Sequence, residues 1–262
     1  MKLSVIITNH KTPELLDLCL KSVQNAASGF EFEVLVIDSE ISPDEDGWAG
    51  KNSEGIKYFP FEKNVGYAKL VNKGLSEVKG EYILILNADI VLEKDSLERT
   101  IGYLEKNPAA GILGPKLLNF NGSTQPSCFR FYKLSTIFSR RTFWKKTPWG
   151  RRELERFLMK DLDDNKTHEA DWLLGAALMV RRQAAQDIGP MDERFFLYFE
   201  DVDWCRRFKE KNWQVIYFPE AVMNHYHGRQ SKKKGGLADL FFNRYAWIHI
   251  FSALKYFLKY RD

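Results

Sequence analysis

Cysteine is scarce in this chain. Only Cys19, Cys128 and Cys205 occur among 262 residues, widely spaced and odd in number. That excludes a disulfide framework and the paired spacing of a structural zinc site, and it favours a reducing compartment. No apolar run approaches the ~20 residues of a membrane span. The N-terminal "MKLSVIITNH" has one Lys before an apolar run too short for the core of a signal peptide. A large excess of either charge is missing too. The 39 Lys and Arg against 35 Asp and Glu leave a net charge of +4, too even for a dedicated nucleic-acid binder. Neither G-x-x-x-x-G-K-[ST] nor G-x-G-x-x-G occurs, which argues against nucleotide hydrolases and dinucleotide oxidoreductases. No internal repeat or low-complexity linker breaks the chain, whose length suits one large domain or two small ones. A cytoplasmic protein is expected, with a peripheral position at the inner face of the cell membrane as a further candidate.

What is present in the first third is alternation. "LSVIIT" (3–8) reads as a buried strand. A helix follows, with Thr12 as its cap, Pro13 at its first position and an apolar stripe of Leu15, Leu16, Cys19, Leu20 and Val23. "FEVLVID" (32–38) is a second buried strand ending on Asp38, and "IKYFP" (56–60) a third. A helix over 67–78, a strand over 82–86 and a helix over 95–106, stopping before Pro108, continue the series. Such alternation predicts a mostly parallel sheet with helices on both faces and ligands at the carboxyl ends of the strands. Asp38 and Asp89 fall at such ends, although two unrelated strand-terminal acids would look the same. Residues 128–168 mix aromatics and cations without clean periodicity and read as a surface excursion. Order returns at Trp172, with a short helix over 183–188 and a strand in "WQVIYF".

In "YFEDVDWCRR" the acids Glu200, Asp201 and Asp203 open a helix, with Arg206 and Arg207 one turn later. Acids there complement the helix dipole and can pair with those arginines. Yet "RFFLYF" before them is almost wholly apolar, so Glu200 and Asp201 emerge from a buried segment, a placement suited to general-base work. "NHYHG" offers His225 and His227 on one side of an extended segment, either as packing residues or as ligands for a divalent metal. In "EKNVGYAKLVNKG" (62–74), Asn64 precedes Gly66, where the backbone can come close to a ligand.

Taken in order, "SVIITNHK", "VLVIDSE", "NVGYAKLVNKG", "YILILNADI", "WLLGAALMVRR", "YFEDVDWCRR" and "HYHG" resemble the family 2 glycosyltransferases, in particular bacterial rhamnosyltransferase-like members, over about residues 3–231. The resemblance implies the α/β GT-A fold, a Rossmann-like, mostly parallel central sheet flanked by helices. A nucleotide-binding half (1–120) and an acceptor half (121–231) would form one unit, followed by a basic aromatic C-terminal helix (232–262). It implies inverting transfer of a sugar from a nucleotide-sugar donor, dTDP-rhamnose by preference, to a glycan or lipid-linked acceptor in bacterial surface polysaccharide synthesis, with Mg²⁺ or Mn²⁺. "NAD" (87–89) is similar to the family's Asp-x-Asp element. Asp89 then takes the metal-binding place, and Asn87 stands where the first Asp is expected, with one charge fewer. By the same resemblance Thr8, Asn9, Asp38, Asn64, Gly66 and Asn87 line the nucleotide. Asp201 is the catalytic base, Glu200 positions the reactants, and His225 completes the metal shell with His227 as fallback. Trp172, Gly175 and His227 face the sugars. Two alternatives stay open. Asn87 suggests a non-catalytic homologue that binds nucleotide sugar; a sugar nucleotidyltransferase would carry a Gly-rich N-terminal loop, which "SVIITNHKTP" lacks.

Residues 237–260, "LADLFFNRYAWIHIFSALKYFLKY", join aromatics to Arg244, Lys255 and Lys259. Such a helix either lies on an anionic membrane surface or packs on the body or on a second copy of the chain. The basic aromatic stretch 140–157 and the frequency of lipid-linked acceptors in the family favour the membrane. The expected partners are therefore donor and acceptor, with an anionic membrane surface and a homodimer as further candidates and no nucleic acid.

Overall fold

The computed structural model describes residues 1–41, 48, 55–226 and 244–261. In chain order the first elements are β1 (Leu3–His10), α1 (Pro13–Ala26), β2 (Phe32–Ser39), β3 (Ile56–Phe61), α2 (Tyr67–Leu75), β4 (Tyr82–Asn87), β5 (Ile90–Leu92), α3 (Ser96–Lys106) and β6 (Ala110–Leu118). Then follow β7 (Thr124–Gln125), β8 (Cys128–Phe129), α4 (Leu134–Arg141), α5 (Pro148–Phe157), β9 (His168–Glu169), β10 (Trp172–Leu173), β11 (Ala177–Arg181), α6 (Arg182–Ile188), α7 (Glu200–Glu210), β12 (Gln214–His225) and α8 (Arg244–Lys259).

The main sheet runs β3-β2-β1-β4-β11-β6-β12-β5. Its neighbours are parallel except where β11 meets β4 and β6 and where β5 meets β12. The mostly parallel sheet expected from the sequence is therefore present. One reversed strand, β11, is inserted between two strands from the first part of the chain. The apolar runs of β1 and β4 are buried on both faces, as strands under two helical layers must be. Val5, Ile7, Leu84 and Leu86 face Leu16 and Val23 of α1 and Leu97 and Ile101 of α3. Ile6, Ile83 and Ile85 face the other way, towards Val71 of α2 and Trp204 and Phe208 of α7.

α1 begins at Pro13 with the expected stripe, and Leu16, Cys19, Leu20 and Val23 are buried. Thr12 does not cap it through its side chain; the hydroxyl donates to Asn9 Oδ1 at 2.8 Å. Residues 128–168 are more ordered than their sequence suggests. α4 and α5 form a hairpin around a 3₁₀ turn, Phe143–Lys146. Thr147 caps α5 by accepting from the Gly150 amide at 3.1 Å, with Pro148 just inside the helix.

α8 packs on the body through Ala246, Ser252, Ala253 and Tyr256. Lys259 Nζ lies 2.5 Å from Asp203 Oδ1 and 2.8 Å from Asp192 Oδ2, and the Tyr260 hydroxyl donates to Asp203 Oδ1 at 2.8 Å. Lys255 donates to the Arg194 carbonyl at 2.7 Å and Ser252 to that of Leu197 at 3.0 Å. Of the two readings open for the C-terminal helix, its described part takes packing, because both lysines turn towards the body. The stretch 227–243, including the front of that expected helix, lies outside the described residues. Among the described residues no helix is long and apolar enough to cross a membrane.

Candidate active site

Strand register brings the first group of polar residues together. Asn9 pairs with Asp38 across β1 and β2, and Thr8 with Asn87 across β1 and β4, all at the carboxyl end of the sheet. Asp38 is buried. Its Oδ1 accepts from Asn9 Nδ2 and the Ser39 amide, both at 2.9 Å, and its Oδ2 accepts from the Tyr58 hydroxyl at 2.9 Å. A carboxylate offers about four acceptor positions, so this net leaves room for one more donor. Thr8 donates to Asn87 Oδ1 at 3.2 Å. Asn64 reaches His10 Nε2 at 3.3 Å and accepts from the Gly66 amide at 3.1 Å.

The second group depends on β5 and β12. Ile90 pairs with His225, so Asp89 arrives beside that imidazole although the two are far apart in sequence. The Tyr226 amide donates to the Asp89 carbonyl at 2.8 Å and fixes the junction. His225 Nε2 stands 3.4 Å from Asp89 Oδ1, while its Nδ1 donates to Gln125 Oε1 at 3.0 Å. In the neutral ring Nε2 then carries a lone pair that faces a carboxylate oxygen. Asp89 Oδ1 is buried with no hydrogen-bond partner. An unpartnered buried carboxylate oxygen beside an imidazole whose other nitrogen is held by an amide fits a divalent cation and its oriented ligand. Among the described residues no three His, Cys, Asp or Glu side chains converge on one point. Asp89 and His225 could therefore hold one corner of a cation, and no more.

The third group is the acid pair at the start of α7. Tyr198 and Phe199 precede it with φ of 68° and 71°, left-handed conformations that are uncommon for such residues. They turn the chain so that Glu200 and Asp201 both enter the interior. Asp201 Oδ2 accepts from the Gly175 amide at 3.0 Å and Oδ1 from the Val202 amide at 2.9 Å. Glu200 Oε2 is buried with no hydrogen-bond partner. Burial pushes the Asp201 carboxyl up to about 6, with the two amides opposing the rise. Glu200 is driven well above the usual carboxylate range, first by burial and then by the negative charge of Asp201. The two amides favour the charge on Asp201, while Glu200, with no donor at its Oε2, favours its proton.

Tyr67 joins the second and third groups. Its hydroxyl donates to the Gly175 carbonyl, and Gly175 in turn holds Asp201. Burial, then the charges of Glu200, Asp201 and Asp89, push this phenol far above its usual range. The Asn87 amide donates to the Ala176 carbonyl at 2.9 Å, so the strand end that leads to Asp89 runs beside the Gly175 that holds Asp201.

Some expected residues lie elsewhere. Trp172, expected to face the sugars, is buried, stacked on Phe129 at 4.3 Å, and its indole N–H donates to the Arg130 carbonyl at 3.0 Å. An aromatic stacked and hydrogen-bonded in this way contributes packing. Gly66, at φ 86°, permits a close approach of the Phe196 backbone: a Cβ there would collide with the Phe196 carbonyl oxygen. Gly175 sits against Tyr67 and Asp201. His227 lies outside the described residues. Gln125 and Tyr67 carried no signal in the sequence, since one sits in a polar turn and the other reads as a core aromatic.

A family model described as "Glycosyl transferase family 2" matches residues 4–189. The N-acetylglucosaminyl-diphospho-decaprenol L-rhamnosyltransferase of Mycobacterium tuberculosis is 27% identical over 207 residues, covering 74% of this chain and 66% of that protein. The low-salt glycan biosynthesis hexosyltransferase Agl10 of Haloferax volcanii is 25% identical over 219 residues, 80% of this chain and 62% of that one. Among solved structures, S. aureus TarS 1–349 in complex with UDP has a TM-score of 0.55 at 18% identity, covering 88% of this chain and 62% of that chain. GalNAc-T7 with UDP, GalNAc and Mn²⁺ has a TM-score of 0.61 at 16% identity, with 86% and 43% covered. These likenesses bear out the expected GT-A fold. The chain thus spans less than the whole of each: 66% and 62% of these two curated relatives, and 62% and 43% of the two solved structures.

Proposed function

The chain belongs to glycosyl transferase family 2, and from that premise we propose an inverting transferase that moves a sugar from a nucleotide-sugar donor, dTDP-rhamnose by preference, to a glycan or lipid-linked acceptor in bacterial surface polysaccharide synthesis. The observation that carries this reading is the buried acid pair at the start of α7, with Asp201 fixed by the amides of Gly175 and Val202 and Glu200 Oε2 left without a donor, beside the strand end that carries Asn87 and Asp89. A fixed carboxylate that stays ionised near neutrality is what removal of an acceptor proton requires, and environments that push two carboxyls apart assign their roles.

In the proposed reaction the acceptor oxygen attacks the anomeric carbon on the side of Asp201, which takes the hydroxyl proton. The bond from that carbon to the diphosphate breaks on the opposite face, and the nucleoside diphosphate leaves with the electron pair. The configuration at the carbon inverts. The Gly175 and Val202 amides keep Asp201 in one orientation, so little rearrangement precedes proton transfer. Glu200, as a neutral acid, is a hydrogen-bond donor for acceptor or donor sugar. Thr8, Asn9, Asp38, Asn64 and Asn87 take the nucleotide at the strand ends, with 1–120 as the nucleotide-binding half, 121–231 as the acceptor half and 232–262 as an extension. Asp89 and His225 are the residues that would hold Mg²⁺ or Mn²⁺, and such a cation offsets the charge of the departing diphosphate. The named rhamnosyltransferase relative supports this choice of donor and a lipid-linked acceptor. An acceptor of that kind puts the protein at the inner face of the cell membrane.

The test is turnover with dTDP-rhamnose, Mn²⁺ and an N-acetylglucosaminyl-diphospho-lipid. The expected result is acceptor-dependent release of dTDP and an inverted anomeric centre by NMR. Donor that binds but is never consumed, across a panel of nucleotide sugars, would make the chain a binding module instead.

A further inference from the structure

The α4–α5 hairpin has no part in the site just described. Residues 133–152 carry seven Lys and Arg and no Asp or Glu. With the whole chain at +4, seven positive charges here leave a net of −3 for all the rest. Charge is therefore concentrated on one small projection of a nearly balanced molecule. Its tip is also apolar: Phe143 is 72% exposed, Trp149 51% and Trp144 38%, with Leu134 at 70% on α4. The tip is a built knob. Trp144 is ringed by Phe138 at 5.7 Å, Phe143 at 6.0 Å and Trp149 at 5.8 Å, and the glycine at 150 lets α5 begin directly against the Trp144 carbonyl. Lys145, Lys146, Arg151 and Arg152 are exposed, and none forms an ion pair among the described residues.

Each feature narrows the choice of partner. Exposed Phe and Trp at the turn of a hairpin call for a medium they can enter, and the headgroup zone of a bilayer accepts such rings. Unpaired cations around them call for negative charge outside the protein. A second copy of the hairpin is a poor partner, because a two-fold contact would set cations against cations. α8 shows a contrasting surface. Its outer stripe of Trp247, Phe251, Leu254 and Leu258 is exposed, but Lys255 and Lys259 bond to the body, which leaves α8 one further cation, Arg244 at its first turn, against the seven of the hairpin.

We propose that the α4–α5 hairpin docks the protein on an anionic bilayer. Phe143, Trp144 and Trp149 enter the headgroup zone, and Lys145, Lys146, Arg151 and Arg152 meet the lipid phosphates. This rests on the transferase reading only for its purpose, delivery of the active site to a membrane-held acceptor.

The test is cosedimentation of the full chain with vesicles of phosphatidylcholine alone or mixed with phosphatidylglycerol. Binding is expected for the mixed vesicles only, with release by salt. A cation near an anionic surface favours partitioning about fivefold, so changing all four to Gln should weaken binding on the order of several hundredfold. Phe143→Ser with Trp149→Ser should also weaken it while leaving the salt dependence. Both variants should keep the wild-type melting temperature and affinity for dTDP. Equal binding to both vesicle types, undiminished binding of the four-Gln variant, or no binding to mixed vesicles at low salt would each overturn the proposal. A chain that docks without turnover refutes the transferase reading alone; one that glycosylates a soluble acceptor yet ignores mixed vesicles refutes the docking alone.

Discussion

Burial raises both carboxyls of the acid pair, but only Asp201 has the amides of Gly175 and Val202 to hold its charge. A base must be ionised to work. Turnover should therefore be full well above pH 6 and fall about tenfold per unit below it, as Asp201 takes up its proton near 6. Asp201→Asn should lower kcat by about 10²–10⁴ with donor affinity kept, and kcat measured against pH checks both outcomes. Glu200 gives a stability prediction of opposite character. Its folded value lies above its ordinary 4.5, so above pH 4.5 the unfolded state loses this proton while the folded state keeps it. That contribution favours folding fully in acid and fades as pH rises. Glu200→Gln, which mimics the protonated acid, should show a melting-temperature gain over the wild type that grows with pH above 4.5 and vanishes below it. Gln125→Leu should weaken Mn²⁺-dependent binding of dTDP by about 10–100-fold in calorimetry, with metal-free binding unchanged, because it frees the ring of the His225 proposed to face the metal. Glu200 and Asp201 were legible because they follow an apolar run directly. Gln125 was not: it meets His225 only because β7 lies on β6 and β6 on β12.

Among the elements, α7 and α8 form a unit around one charge. Asp203 is fully buried, and Arg207, Lys259 and Tyr260 all bond to its carboxylate. Pairing with Arg207 was readable from the four-residue spacing; the closure by Lys259 and Tyr260 was not. An aromatic helix with scattered lysines looks alike whether it lies on a bilayer or on its own protein, and what decides is a buried acid far off in the sequence. Asp203→Asn should leave two cations facing a neutral amide and cost about 3–5 kcal/mol. Urea denaturation should show a lower midpoint with an unchanged slope. The same clamp supports the turn before the acid pair, where each left-handed residue, Tyr198 and Phe199, stores about 1–3 kcal/mol. Ser252 and Lys255 hold the carbonyls of Leu197 and Arg194 just upstream.

For the molecule as a whole, the α/β class was legible from alternation alone, and so was the gathering of polar residues at the strand ends. The insertion of β11 was not, since it is a long-range pairing that no local pattern announces. It also means that the two halves of the chain share one sheet, because β11 completes both β4 and β6. A fragment of residues 1–120 should therefore remain unfolded by circular dichroism. The full chain should unfold in a single transition that fluorescence and circular dichroism report together. The same insertion sets a schedule for synthesis. When β6 has left the ribosome, β4 and β6 each present a bare edge, and the strand that joins them is still about 60 residues from completion. At 5–20 residues per second that gap lasts roughly 3–12 s. Through that interval two hydrophobic strands stand open to the wrong neighbour, so the nascent chain, more than the finished fold, is the form that depends on a chaperone.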